Sequence, residues 1–354
     1  MKYPAVFCNK NKLLENVNTL SAVLHSQGRT FAAVTKCICE AEPVFEVLEN
    51  STCDWIADSR IENLAACSTS KPRFLIRLAQ KHEVSEVIQY SDYSFQSEIY
   101  TITQLSKEAL RQRKTHGIIV ALDMGDLREG CFFQNLSQIE KIVTCILKSP
   151  NLEYMGIGTN LGCFGGVKTD TENMGNLLNV GKYISLKFGV KNQFISGIST
   201  GAQKMIFDNT MPREINHCRM GEAWLVGYDS VNHCSVPYMH QDVFTYRAQV
   251  IEIMQKPSKP IGEIGGDSMG RIVQREDQGI MRRGIIASGF LDINYEDIVP
   301  TDTRLKFLGG SSDHTILDMS LAPEYKVGDV IEFRMNYTAV MRAYTSKYVY
   351  KYYR

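Results

Sequence analysis

The sequence predicts an α/β chain in two parts: an N-terminal (β/α)8 barrel over residues 1–231 and a C-terminal antiparallel β domain over residues 232–354. Three observations predict it. Short apolar runs recur through the first two-thirds, namely FAAVT (31–35), DWIA (54–57), RFLIR (73–77), GIIVALD (117–123), YMGIG (154–158) and FISG (194–197). Runs of this length read as strands buried on both faces. Segments of helical periodicity lie between them. Beyond about residue 232 the texture changes to alternating apolar and polar residues broken by turn residues.

Each element has its own signal. Leu13, Leu14, Val17, Leu20 and Leu24 share one helical face, and Gly28 follows as a C-cap. Leu136, Ile139, Ile142, Val143, Ile146 and Leu147 form a second stripe behind Asn135, an N-cap residue; Met174, Leu177, Leu178, Gly181, Ile184 and Phe188 form a third. Repeated strand–helix units imply a parallel sheet covered by helices, and about eight units over roughly 220 residues favour a closed barrel over an open doubly wound sheet. No G-x-G-x-x-G follows the first strand, which counts against a dinucleotide site. In the last third, VFTYRAQVIEIM (243–254), IVPTDTRLKFLGG (298–310), HTILDM (314–319) and KVGDVIEFRMNY (326–337) read as strands of an antiparallel sheet, with no long helical stripe among them.

Composition narrows the function. Lys+Arg and Asp+Glu both number 39, so nothing basic points to nucleic acid or an anionic membrane. A small molecule or another protein subunit is the expected partner. No apolar run reaches bilayer length, and the opening MKYPAVFCNKNKLL lacks a signal peptide's apolar core. The 10 cysteines are scattered, without zinc spacing or a disulfide framework, as for reduced thiols in a cytoplasm.

The chemistry is read from the strand ends, because a parallel barrel carries its active site at the carboxyl ends of its strands. FAAVT runs straight into Lys36. Two readings stand: a lysine whose stem packs while its amine reaches water, or a desolvated amine primed to form a Schiff base. Arg128 lies just beyond GIIVALD, in MGDLREG; Ser199, Thr200 and Gly201 open a helix after FISG; Arg219 precedes Gly221 in CRMGEAWLVG. Hydroxyls and backbone N–H groups at a helix start suit a phosphate, although a Ser-Thr-Gly turn more often only caps a helix. An amine, a phosphate-type loop and two arginines at one barrel mouth suit pyridoxal 5′-phosphate better than a nucleotide.

On these residues the chain resembles the alanine-racemase-like enzymes that bind pyridoxal phosphate, and within them the ornithine racemases. The resemblance rests on AVTKC (33–37), ADSRIENL (57–64), DMGDLREG (123–130), NLGCFGG (160–166), RMGEAWLVG (219–227), KPIGEIGGDSMG (259–270), SSDHTILD (311–318) and TSKYV (345–349), which span nearly the whole chain. It implies a racemase that interconverts L- and D-amino acids by two-base transfer of the α-proton, with ornithine or another basic amino acid as substrate. It implies a homodimer with active sites shared between subunits. Lys36 falls where the cofactor-linking lysine stands and would move the α-proton on one face. Arg219 falls opposite the pyridine nitrogen, and its permanent charge would keep that nitrogen unprotonated. Asn160 occupies the place of a histidine beside the ring. Ser199, Thr200 and the N–H groups of Gly221 and Glu222 match the phosphate cup, with Tyr348 as a further phosphate contact and Tyr344 as its competitor. Arg128 matches an arginine near the substrate carboxylate.

One departure stands out. Alanine racemases carry a catalytic tyrosine where this chain has Phe290, in ASGFLDIN (287–294). Phenylalanine cannot transfer a proton, so the second acid/base lies elsewhere. The resemblance points to GGSSDHT (309–315): Ser312 and Asp313 would contact the substrate, and Ser312 or His314 would serve in proton transfer. A β-turn with a surface histidine accounts for the same residues equally well. For a substrate's second amine, GEIGGDSMG (262–270) offers Glu263 and Asp267, which also suit a merely solubilising hairpin. The alternatives are an alanine racemase, a decarboxylase or a non-catalytic carrier of pyridoxal phosphate.

Overall fold

The chain opens on strand β1 (Ala5–Cys8) and helix α1 (Lys10–Ser26). The next strands are β2 (Thr30–Val34), β3 (Trp55–Asp58), β4 (Arg73–Leu75), β5 (Tyr93–Gln96), β6 (His116–Asp123), β7 (Cys131–Phe132), β8 (Leu152–Gly158), β9 (Phe194–Ile198) and β10 (His217–Met220). These come from a computed structural model that describes residues 1–267, 269–272 and 276–354; Ser268, within the 259–270 segment named above, lies outside them. Among the described residues, β2 to β6 and β8 to β10 pair in parallel in chain order, and β10 pairs with β2 to close the ring; β7 only extends β6. Helices α2 (Glu42–Glu49), α3 (Ile61–Ala66), α4 (Val84–Tyr90), α5 (Ile99–Gln112), α6 (Leu136–Lys148), α7 (Thr171–Phe188), α8 (Gln203–Phe207) and α9 (Glu222–Val226) form its outer layer. The closed (β/α)8 barrel expected from the sequence is what the chain forms.

Its floor is aromatic. Trp55, Tyr93, Phe194 and His217 are the first residues of β3, β5, β9 and β10, so they meet at one level. The Trp55 ring lies 4.5 Å from Tyr93, 4.8 Å from Phe194 and 5.0 Å from His217. Ala32, Ala57, Phe74, Phe95, Ile119 and Met155 fill the space above. Rings pack most area per residue at the narrow end, which leaves the carboxyl ends of the strands for polar groups.

The barrel is contained in one compact unit, Lys12–His240; Met1–Asn11 and Gln241–Arg354 form another. Residues 1–11 fall in the second unit because β1 pairs there on both sides. That unit adds β13 (Phe244–Pro257), β14 (Ile280–Ile286), β15 (Ile298–Pro300), β16 (Lys306–Gly310), β17 (Thr315–Asp318), β18 (Val330–Met335), α10 (Tyr337–Thr345) and β19 (Tyr350–Tyr353). The sheet order is β15-β18-β13-β14-β17-β16, and β1 joins antiparallel to β13 and parallel to β19. The two-residue strands β11 (Tyr228–Asp229) and β12 (Cys234–Ser235) pair antiparallel with each other. No helix among the described residues is long and apolar enough to cross a membrane.

Most local expectations hold, and the exceptions are informative. Gly28 ends α1 at φ 74°, and the Asn135 side chain caps α6 by accepting from Gln138 N. Leu136 and Leu147 leave the α6 stripe and are exposed, so Ile139, Ile142, Val143 and Ile146 carry the packing. Helix α10 stands where no helical stripe was expected; its nine residues are held by the Asn336 cap on Ala339 N and by burial of Val340, Ala343 and Tyr344.

Two details of the barrel strands have testable consequences. At the bulge in β8, Gly156 adopts φ 139°, and a Cβ there would lie 1.9 Å from the Phe194 carbonyl oxygen. Gly156→Ala should therefore destabilise by about 3 kcal/mol or more, since side chain and backbone cannot both stay; a melting temperature close to wild type would contradict this. At the ends of β2 and β3, the Thr35 hydroxyl donates to buried Asp58 Oδ2 at 2.6 Å, while Asp58 Oδ1 accepts Arg60 N and Asn63 Nδ2. Burial pushes the Asp58 carboxyl up to about 6 despite these donors. An acid raised above its unfolded value is shed first by the unfolded chain, so its contribution to stability falls as pH rises from about 4 to about 6. Asp58→Asn removes that term. Across this window the variant should gain on wild type by up to about 2–3 kcal/mol in chemical denaturation; a pH-independent gap would refute it.

Candidate active site

The strand order sets which side chains meet. Reading β2, β10, β9, β8 and β6 as hydrogen-bonded neighbours, the loops beyond them carry Lys36, Gly221–Glu222, Ser199–Thr200, Asn160 and Arg128. Arg219 sits on β10 itself, paired in register with Ala32 of β2. The residues singled out in the first 231 positions thus gather at the carboxyl ends of adjacent strands.

Lys36 follows buried Thr35 and precedes buried Cys37, yet is itself exposed. The burial of the strand stops one residue short of it, so its amine reaches water instead of being desolvated. Its charge acts on Glu222: burial raises the Glu222 carboxyl, while the Ser230 hydrogen bonds and, least, the Lys36 charge pull it back. Gly221 lets this loop lie against β2, since a Cβ there would meet the Val34 carbonyl at 3.2 Å. On the neighbouring loop, Thr200 Oγ1 accepts from Ala223 N at 3.3 Å and ties the two candidate phosphate-binding turns together.

Arg219 is the most constrained group of the site. It is buried, and every branch of its guanidinium is engaged. Nε donates to Ser196 Oγ at 2.7 Å, Nη1 to Asn160 Oδ1 at 2.5 Å and Nη2 to the Thr159 carbonyl, while Cζ lies 4.7 Å from the centre of the Phe95 ring. Burial lowers its pKa to about 10, with Glu129 among the charges opposing that loss, so it stays a cation at neutral pH. Ser196 Oγ also lies 2.7 Å from His217 Nδ1. The hydroxyl accepts from Arg219, so its own proton goes to the imidazole. Burial and the nearby Arg219 charge push His217 down to about 3, which keeps it neutral and able to accept.

Two acids unnoticed in the sequence organise the loops. Asp126 is buried, and its carboxylate accepts four backbone N–H bonds of 2.9–3.1 Å, from Gly162, Cys163, Phe164 and Val167. Burial works to raise it, but those donors prevail and hold it below the ordinary carboxylate range. Glu129 accepts from Arg128 Nε and Nη2 and from Asn160 Nδ2. Burial works to lower the Arg128 pKa, and the Glu129 carboxylate outweighs it and raises it. The available signal was the M-G-D-L-R-E-G stretch itself, where acids flank the arginine on both sides.

In the other unit, the segments around Phe290 and Ser312 adjoin. Phe290 N donates to the Ser311 carbonyl at 2.9 Å and Leu291 N to the Ser312 carbonyl at 3.0 Å. Gly289 permits this contact, since a Cβ there would lie 2.5 Å from both carbonyls. Ser311 N donates to the His314 carbonyl and closes a turn, and the Ser312 hydroxyl donates to Asp313 Oδ2 at 2.5 Å. Tyr348 is exposed, whereas Tyr344 is buried. Asp267 is committed to Arg271 through a 2.9 Å ion pair.

The residues present fit pyridoxal 5′-phosphate. An exposed primary amine, an enforced buried guanidinium and a hydroxyl-bearing cradle of small residues stand on consecutive strand ends, matching aldehyde, ring nitrogen and phosphate. Among the described residues no cluster of His, Cys, Asp and Glu suits a metal ion.

The comparisons agree with the geometry. The family model for the alanine racemase N-terminal domain matches residues 8–228. The ornithine racemase of Acetoanaerobium sticklandii is 35% identical over 351 residues, covering 99% of each chain. The lysine racemase of Thermotoga maritima is 34% identical over 360 residues, covering 100% of this chain and 99% of its own. Among solved structures, the alanine racemase of Clostridium difficile 630 superposes with a TM-score of 0.79 at 16% identity, covering 100% of this chain and 96% of its own. D-threonine aldolase from Filomicrobium marinum superposes with a TM-score of 0.73 at 14% identity, covering 97% and 89%. With that match along its barrel and those relatives along its whole length, this chain belongs to the alanine racemase family of pyridoxal-phosphate enzymes.

Proposed function

We propose that the protein is an amino-acid racemase acting on a basic amino acid, with ornithine or lysine as substrate. One observation carries this reading: the amine, guanidinium and hydroxyl set stands on consecutive strand ends of a chain that matches ornithine and lysine racemases from end to end.

When bound, pyridoxal 5′-phosphate supplies an aldehyde that joins an amine and an electron-withdrawing ring that acidifies the α-hydrogen of an amino acid. The chain's own residues do the rest. Lys36 Nζ holds the cofactor and takes or returns the α-proton on one side. Arg219, kept cationic and immobile, opposes protonation of the pyridine nitrogen and so limits how much electron density the ring withdraws. Asn160 stands beside it. Ser199, Thr200 and the N–H groups of Gly221 and Glu222 hold the phosphate, with Tyr348 as a further contact. Arg128 binds the substrate carboxylate. On the other side of the α-carbon the proton is moved by Ser312 or His314, with Asp313 beside the substrate; Phe290 takes no part in that transfer. We propose that a second copy of the chain completes each site, making the enzyme a homodimer, and that it works in the cytoplasm.

Two measurements test this. Purified protein incubated with L-ornithine, L-lysine or L-alanine in D2O should release the D-enantiomer bearing α-deuterium, with the diamino acids favoured by roughly 100-fold in kcat/KM; alanine as the better substrate would make it an alanine racemase. Lys36→Ala should lose the visible band near about 420 nm that marks the lysine-bound cofactor, together with at least about 1000-fold of turnover. If that variant keeps the band and the rate, Lys36 is not the reacting amine; if wild type keeps the band but exchanges no α-hydrogen of any amino acid, the protein is a carrier.

A further inference from the structure

Glu129 is adjacent in sequence to Arg128, and neighbouring side chains ordinarily diverge. Here the loop after β6 turns them together. Asp123 Oδ1 accepts Gly125 N at 2.8 Å and Leu127 N at 3.1 Å, and Leu127 takes a left-handed φ of 57°. Gly130, at φ 113°, brings the chain back against β6 so closely that a Cβ would lie 2.6 Å from the Leu122 carbonyl carbon. The outcome is a fork: Arg128 Nε donates to one oxygen of Glu129, and Nη2 donates to the other at 2.5 Å.

That second oxygen, Oε1, also accepts Asn160 Nδ2 at 2.5 Å, and Asn160 Oδ1 accepts Arg219 Nη1 at 2.5 Å. An amide has one donating and one accepting end. With its donor drawn to Glu129, its acceptor is left facing Arg219. The carboxylate therefore stands between two cations and fixes both: one directly through a two-point contact, the other through the orientation of Asn160. Nη1 of Arg128 is not used in this fork.

We propose that Glu129 is a positioning residue that presents the free edge of Arg128 to the substrate carboxylate and locks the Asn160 amide toward Arg219, so that carboxylate binding and the cofactor's ring are served by one anion. This rests on the reading of Arg128 as the carboxylate-binding group, and the test separates the two. Arg128 alone would swing on a long, flexible stem; a charge-assisted two-point contact holds it in one plane. Glutamine at 129 would keep the size and still accept from Asn160, but would give up the charge and the fork.

The experiment uses cofactor-loaded wild type, Glu129→Gln, Glu129→Asp, Arg128→Lys and the double variant Arg128→Lys with Glu129→Gln. Propionate, a carboxylate without an amine, is titrated in, and its Kd is read from the change in the cofactor's visible absorbance. Glu129→Gln should weaken propionate by roughly 10-fold, as for a lost charge-assisted hydrogen bond, with thermal unfolding near that of wild type. Glu129→Asp should weaken it too, because the shortened carboxylate cannot reach Arg128 and Asn160 at once. The double variant should be no weaker than Arg128→Lys alone. If Arg128→Lys leaves the Kd unchanged, Arg128 does not bind the carboxylate and the underlying reading fails. If Arg128→Lys weakens propionate while both Glu129 variants stay within twofold of wild type, or if the two losses simply add, the coupling proposed for Glu129 is overturned. Should Glu129→Gln not fold, the Glu129→Asp titration decides alone.

Discussion

A guanidinium buried inside a barrel is the constraint on which the site depends. Arg219 leaves bulk water on a strand between buried Cys218 and Met220, and an unpaired charge there is prohibitive. Each surrounding feature follows from that. Ser196 must present an oxygen, Thr159 a carbonyl and Asn160 the accepting end of its amide. Phe95 must present its face, and Gly158 leaves room for it, since a Cβ at 158 would lie 2.6 Å from that ring. His217 must stay neutral beneath. Among the described residues its hydrogen-bond partners are neutral oxygens, so its charge is not cancelled by a directly bonded carboxylate.

The acids of the mouth act mainly as loop-holders. Asp126 gathers four N–H groups of the 162–167 turn, Asp123 bonds two of its own loop, Asp58 braces Thr35 next to Lys36, and Glu129 holds Arg128. Carboxylates suit this work because one side chain can satisfy several donors of an irregular loop that has no ladder of its own. The exposed amine of Lys36 and the hydroxyl of Ser199 thereby stand on a surface whose shape these carboxylates help to set.

Much of this was legible in the sequence because burial is two-sided in a parallel barrel. The runs at 117–123 and 194–197 became β6 and β9 with hardly a shift. Strand β5 was not legible: Ser94 and Gln96 interrupt its apolar pattern, yet both are buried, with Ser94 bonded to His116 and Gln96 to Ser94. Polar residues satisfied by one another look like a loop in one dimension. For the same reason the sequence pointed to Lys36, Arg128, Asn160 and Arg219 but not to Glu129 or Asp126, whose bonds to Asn160 and to the 162–167 turn span 31 to 41 residues. In the last third, β14 and β19 lacked a clean alternation, because their exposed faces still carry Ile280 and Tyr350.

The placement of β1 has a consequence for how the chain matures. Residues 12–240 form a contiguous unit, so every strand of the barrel has its partner once residue 240 has been synthesised. The other unit is interrupted. Ala5–Cys8 pairs with β13 and then, in parallel, with Tyr350–Tyr353, a closure across nearly the whole polypeptide. Contacts of such sequence separation form late. Strand β1, made before every strand of the barrel, is therefore among the last to find its place, and its buried Val6 and Phe7 must remain unpaired while the barrel assembles.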